Sequence, residues 1–129
     1  MADLQELSTQ ECWELVGGVG FARIAWNSPN GPVVLPVNHV VHEQSLWIRT
    51  SAYSSMAEQV DDTRIAVEVD AVDPESHVGW SVLLRGSGDV IYQEESVPEE
   101  VRSLRAWASG ARPLWIRLTP TMVTGRRLA

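Results

Sequence analysis

The chain has 129 residues, 44% of them hydrophobic, and a formal net charge of -7; this suits one domain around a single core and disfavours nucleic acid, whose phosphates demand a basic surface. All ten cationic side chains are arginine, which excludes chemistry that needs lysine: a Schiff base, a pyridoxal phosphate aldimine or a Walker-type phosphate loop. A single cysteine, Cys12, excludes an intrachain disulfide and an intrachain thiolate cluster.

The start, MADLQELSTQE, is acidic and polar where a signal peptide needs a basic start and an apolar run. No apolar stretch approaches the ~20 residues that span a bilayer. A cytoplasmic protein with no membrane or nucleic-acid partner is expected.

Ser8 with Glu11 three residues on forms a capping-box signature, so a helix is predicted from Thr9 to Val16. Gly17, Gly18 and Gly20 stop it; GGVG follows a helix and precedes a strand, the reverse of a dinucleotide fingerprint. Val19–Trp26 alternates as a strand, NSPNGP is turn chemistry, Val33–Val41 is a second strand, HEQS a hairpin connection and Leu46–Thr50 a third strand. A short helix is predicted over Ser54–Val60, a strictly alternating strand over Arg64–Val72 and a turn at DPES. Trp80–Tyr92 is a long strand with a bulge at Gly86 and Gly88. Pro98–Ser109 reads as a helix, and Leu114–Leu118 as a last strand that resumes at Met122–Gly125. No internal repeat is read. About six strands with sharp turns and few short helices predict a mainly β single domain, a small antiparallel barrel, since helices and strands do not alternate as in parallel architectures.

The polar cluster after the third strand stands out. Arg49, Thr50, Ser51, Ser54 and Ser55 occupy seven positions at a strand end and helix start, a setting that suits a phosphate group. Charge is also unevenly spread: positions 1–100 hold all 17 acids and four arginines, whereas Val101 onward has six arginines and no acid. The late segment is too apolar for a solvated arm, so it is expected to fold back onto the acidic body or onto a second subunit.

The succession LPVNHVV, LWIRTSAYSS, IAVEVDAVDPESHVGWSVLLRGSGDV and WIRLTPTMVTGRRL resembles the pyridoxamine 5'-phosphate oxidase-like proteins, the FMN-binding split-barrel group. The resemblance spans most of the chain. It implies a six-stranded antiparallel split β-barrel, a homodimer with the cofactor at the subunit interface, and an oxidoreductase acting on a small molecule. By the resemblance, the flavin mononucleotide (FMN) phosphate lies near Arg49, Thr50, Ser51, Ser54 and Ser55. The ring lies against Pro36, Val37 and Asn38, and Trp80 and Ser81 contact the partner's cofactor. Where relatives carry lysine after the hydroxyl residue, this chain has Ser55 and then Met56. Loss of one charged hydrogen bond, about 1.5–3 kcal/mol, weakens phosphate binding by roughly ten- to hundredfold. The deazaflavin F420, served by a groove of the late arginines, is the alternative cofactor; the other alternative is a non-catalytic ligand-binding or interaction dimer that has lost tight flavin binding.

His39 and His42 sit on a strand and its turn, facing opposite ways, and do not chelate a metal together. His39 either approaches the flavin edge or lines the barrel wall. Five of the six tryptophans read as core or interface anchors, Trp80 being the exception. Asp73, Glu75 and Asp89 read as turn acids. No Ser/His/Asp set or paired carboxylates support hydrolysis, so the hard chemistry is left to a cofactor.

Overall fold

Period-two alternation of apolar and polar residues carries most of the chain into antiparallel strands, described in a computed structural model over residues 4–51, 55–102 and 113–128. The elements are β1 (Leu4–Glu6), α1 (Thr9–Gly17), β2 (Phe21–Ser28), β3 (Gly31–His42), β4 (Ser45–Ser51), α2 (Ser55–Val60), β5 (Thr63–Val72), β6 (Gly79–Ile91), a 3-10 turn at Glu94–Ser96, α3 (Glu99–Arg102) and β7 (Pro113–Leu128). The strands pair in the order β1-β7-β4-β3-β2-β5-β6, and β6 pairs back to β7. Six strands thus close a ring, as the sequence led one to expect, and β1 is an addition to the edge of β7.

Local chemistry explains the element ends. The Ser8 hydroxyl accepts from the Glu11 N–H at 3.1 Å while the Ser8 N–H donates to the Glu11 carboxylate at 3.0 Å, the reciprocal capping box that starts α1. Glu43 and Gln44 both have positive φ, 49° and 59°, the pattern of a two-residue turn between twisted strands. At the β2–β3 turn the Ser28 hydroxyl donates to the Gly31 carbonyl at 2.7 Å.

Two expectations are corrected. β1 is absent from the sequence reading because its three residues, LQE, are all exposed; backbone pairing with Arg126–Leu128 holds it, and a strand without a buried face leaves no alternating pattern. The last strand is one continuous element rather than two pieces. Pro120 interrupts its sequence pattern, but the β6–β7 register shifts between Arg85 and Gly86, where Gly86 faces Pro120 and Arg85 faces Met122. The missing proline N–H falls at a bulge, where the ladder is already broken. Of the helix predicted over Pro98–Ser109, α3 accounts for Glu99–Arg102 and residues 103–109 lie outside the described residues.

The barrel interior holds Ile24, Ile48, Val67, Leu84, Ile116 and Leu118, all fully buried. α1 adds Cys12 and Val16, and α2 adds Met56, Ala57 and Val60. A second cluster lies outside the ring, where Trp47 and Trp115 meet Val97 and Val101. No helix among the described residues is long and apolar enough to cross a membrane.

Gly88 is required by this packing: a Cβ there would lie 2.8 Å from Val60 Cγ1 and 2.9 Å from Ile65 Cδ1. Gly88→Ala is expected to lower stability by about 1–3 kcal/mol, read as a fall in denaturation midpoint; an unchanged midpoint would contradict the close approach of β6 to α2.

Candidate functional site

β4 alternates, so Leu46 and Ile48 enter the core while Trp47 and Arg49 stand on the outer face. Thr50 follows the inner row, half-buried, at the strand's end. Arg49 is also half-buried, and its guanidinium lies 5.5 Å from the centre of the Trp115 ring. The partner arrangement repeats two residues away, with the Arg117 guanidinium 5.8 Å from the Trp47 ring centre.

The symmetry has a sequence origin. The tetrapeptide LWIR occurs at residues 46–49 and again at 114–117, a short internal repeat that the sequence reading missed. The two copies pair antiparallel about Ile48 and Ile116, with Trp47 opposite Arg117 and Arg49 opposite Trp115. Each arginine therefore stacks on the other strand's tryptophan, a contact worth about 0.5–2 kcal/mol. Arg117 is further held by Asp89 of β6 at 3.6 Å, so Asp89 is a strand residue in an ion pair, not a turn acid. Asp73 is a turn acid as expected, accepting from the Glu75 N–H at 3.0 Å and the Ser76 hydroxyl at 2.9 Å.

Asn38 is buried on β3. The β3–β4 pairing ends at His39 and Ile48, the neighbours of Asn38 on β3 and of Arg49 on β4. Val37 is half-buried and packs toward the core, while Pro36 is exposed across from Arg23. Asn38 and Arg49 thus follow the last pair of the β3–β4 seam, while Pro36 and Val37 pair with Arg23 and Ala22 of β2 and Thr50 with Leu114 of β7. Ser51 ends β4, exposed Ser55 opens α2, and Ser54 lies outside the described residues.

The position where the resemblance leads one to expect lysine is held by Ser55, which is exposed at the start of α2, while its neighbour Met56 is 6% exposed and packs in the core cluster. A phosphate group at this strand end fits the residues present through the Arg49 cation and the hydroxyls of Thr50 and Ser55. Because Thr50 and Arg49 leave opposite faces of β4, such a group would sit past the strand end.

Trp80 and Ser81 lie on β6, which β7 separates from β4. Trp80 packs against the core and Ser81 pairs with Asp70, and both border a cleft of about 220 Å³ with Leu4 and Arg126. His39 is 2% exposed, and its Nε2–H donates to the Val16 carbonyl at 2.9 Å. Burial lowers its pKa, so it is a neutral wall residue tying β3 to α1. His42, at the hairpin, is half-buried.

The sequence reading also missed a charged group on the outer face. One Arg23 nitrogen, Nη1, donates to both Glu68 and Asp70 at 3.0 Å. Partial burial, then the hydrogen bond and charge of Asp70, push the Glu68 pKa up to about 7 despite Arg23. A carboxyl raised in the folded state binds a proton that the unfolded chain, near 4.3, has released. Glu68 therefore favours folding below about pH 4.3, and this contribution is lost as pH rises to about 7. Glu68→Gln is expected to flatten the decline in melting temperature across that window; parallel profiles for the two proteins would refute the shift.

Comparison with known proteins places this arrangement. The profile of the pyridoxamine 5'-phosphate oxidase family matches residues 8–127. An uncharacterized protein of Mycobacterium tuberculosis, Rv0080, is 28% identical over 131 residues, covering 98% of this chain and 86% of the relative. The FAD binding protein from Mycobacterium smegmatis superposes with a TM-score of 0.76 at 28% identity, over 98% of this chain and 100% of that one. A FAD-binding protein from Mesorhizobium loti shares the fold at a TM-score of 0.82 and 19% identity, over 100% and 99% of the two chains. With the family profile spanning nearly its whole length and the barrel closed in the same way, the chain belongs to the pyridoxamine 5'-phosphate oxidase family.

Proposed function

We propose that the protein is a flavin-binding oxidoreductase that acts on a small molecule as a homodimer, with the cofactor between the subunits. The observation that carries this reading is Arg49: a guanidinium at the end of β4, stacked on Trp115 and beside Thr50 and Asn38. Stacking restrains the arginine, and a planar fork is suited to phosphate oxygens. Arg49, Thr50 and Ser55 would hold the phosphate, while the β3 backbone at Pro36–Asn38 would flank the ring. Bound flavin supplies hydride or electron transfer; the chain supplies binding, orientation and an apolar wall that limits water. The relative from Mycobacterium smegmatis is a FAD binding protein, which supports a flavin nucleotide and brings FAD beside FMN as a ligand to test.

Purified protein titrated with FMN, FAD and F420, followed by visible absorbance and fluorescence quenching, separates the readings. Saturable binding of FMN or FAD is expected, and Arg49→Ala should weaken it by about ten- to hundredfold while lowering the melting temperature by several degrees through loss of the Trp115 contact. Binding of F420 alone would move the protein to the deazaflavin enzymes. Binding of none, or equal flavin binding by Arg49→Ala, would overturn the site.

A further inference from the structure

A second pair of arginines faces solvent on another part of the ring. Arg64 on β5 and Arg85 on β6 both border a cleft of about 290 Å³, with Trp26, Asn27, Pro32 and Thr121 around it. The register sets Arg64 opposite Ser87 and Arg85 opposite Ala66, so the two arginines are diagonal neighbours, about 7–8 Å apart at the backbone and within reach of one another's long side chains. Both are exposed.

Their electrostatic setting differs from that of the arginines held in ion pairs. Arg23 and Arg117 are paired to carboxylates, yet among the described residues neither Arg64 nor Arg85 has a carboxylate within 4.0 Å, and no acid lines the cleft. Among the described residues, the Arg85 side chain contacts Met122 Sδ at 3.8 Å from Nη1. Two like charges brought together on neighbouring strands repel, in a chain with 17 acids available for pairing.

The walls are better fixed than the cations. The Trp26 indole, 5% exposed, donates from Nε1 to Gln59 of α2 at 2.7 Å. The bulge at Arg85 and Gly86 displaces Thr121 from the paired register, and its hydroxyl donates to the Arg85 carbonyl at 3.4 Å. Bulges re-aim side chains next to binding sites. The cleft thus presents two guanidinium forks, an amide from Asn27 and a hydroxyl from Thr121 over a rigid apolar floor. A carboxylate offers two oxygens to such a set; a phosphate monoester or diester offers more acceptors and, as a monoester, a second charge.

We propose that the Arg64–Arg85 cleft is an anion site for a phosphate group carried by a small molecule, distinct from the β4 strand end. That group comes either from the adenylate half of a dinucleotide cofactor or from a phosphorylated substrate.

The test uses isotope-labelled full-length protein, with inorganic phosphate added at constant ionic strength against chloride. Saturable shifts of the Trp26 indole and of the Arg64 and Arg85 Nε–H resonances are expected. The Arg64→Gln/Arg85→Gln variant, altered only at exposed positions, should weaken this response by about tenfold or more. Arg102→Gln, on α3, should leave it unchanged. FMN and FAD titrated into the double variant then identify the source. Weakened FAD binding with unaltered FMN binding assigns the site to the adenylate half. Unaltered binding of both, with the phosphate response lost, assigns it to a substrate phosphate. Shifts that do not saturate, or that persist in the double variant, would overturn the proposal. So would a loss of dimer without any phosphate response, which would show the arginines pairing with acids of a second copy.

Discussion

Strand β7 is hydrogen-bonded along both edges, to β4 on one side and to β6 on the other, and closure of the ring depends on that double pairing. Remove it and β4 and β6 become free edges, with Ile48, Leu84 and Ile116 losing their enclosure. The two LWIR segments form the β4 side of this seam. Their apolar residues fill the barrel, and their tryptophans and arginines interlock outside it, so one local pattern serves the core and the outer face together. A strand from the far end of the chain is thereby fixed against the middle, and Arg49 is fixed with it.

The absence of lysine shapes what such a scaffold can do. An ammonium is a mobile point charge, whereas a guanidinium stacks on an aromatic face and still offers hydrogen-bond donors. In this barrel Arg49 is oriented by Trp115, Arg117 by Trp47 and Asp89, and Arg23 by Glu68 and Asp70. Charge is placed by packing rather than by long flexible stems, which lowers the conformational entropy lost when an anion binds. Met56 is turned into the core, and the exposed position before it, Ser55, carries a hydroxyl and no charge.

Most of the fold was legible because burial and period agree. β2, β5 and β6 alternate buried and open residues along their length, and the Ser8–Glu11 box and the Gly17–Gly18 stop act locally, within one turn of chain. What escaped was non-local. β1 has no buried face, and the continuity of β7 through Pro120 rests on a bulge shared with β6. The ladder of Arg49, Trp115, Trp47 and Arg117 becomes visible only when two distant tetrapeptides are set antiparallel. The same limit applied to the site: hydroxyls and arginine at a strand end could be read as residues, but the tryptophan that orients the arginine lies 66 positions away in sequence. The Arg23–Glu68–Asp70 group was likewise hidden, because it joins strands β2 and β5.

The central claim is that Arg49, held by its aromatic partner, anchors a flavin phosphate past the end of β4. A crystal structure of the protein with FMN or FAD tests it most directly. The account predicts the FMN phosphate, or the corresponding phosphate of FAD, within about 2.7–3.2 Å of the Arg49 guanidinium, with the ring alongside Val37 and Asn38. A flavin bound elsewhere, with its phosphate away from Arg49, would contradict it.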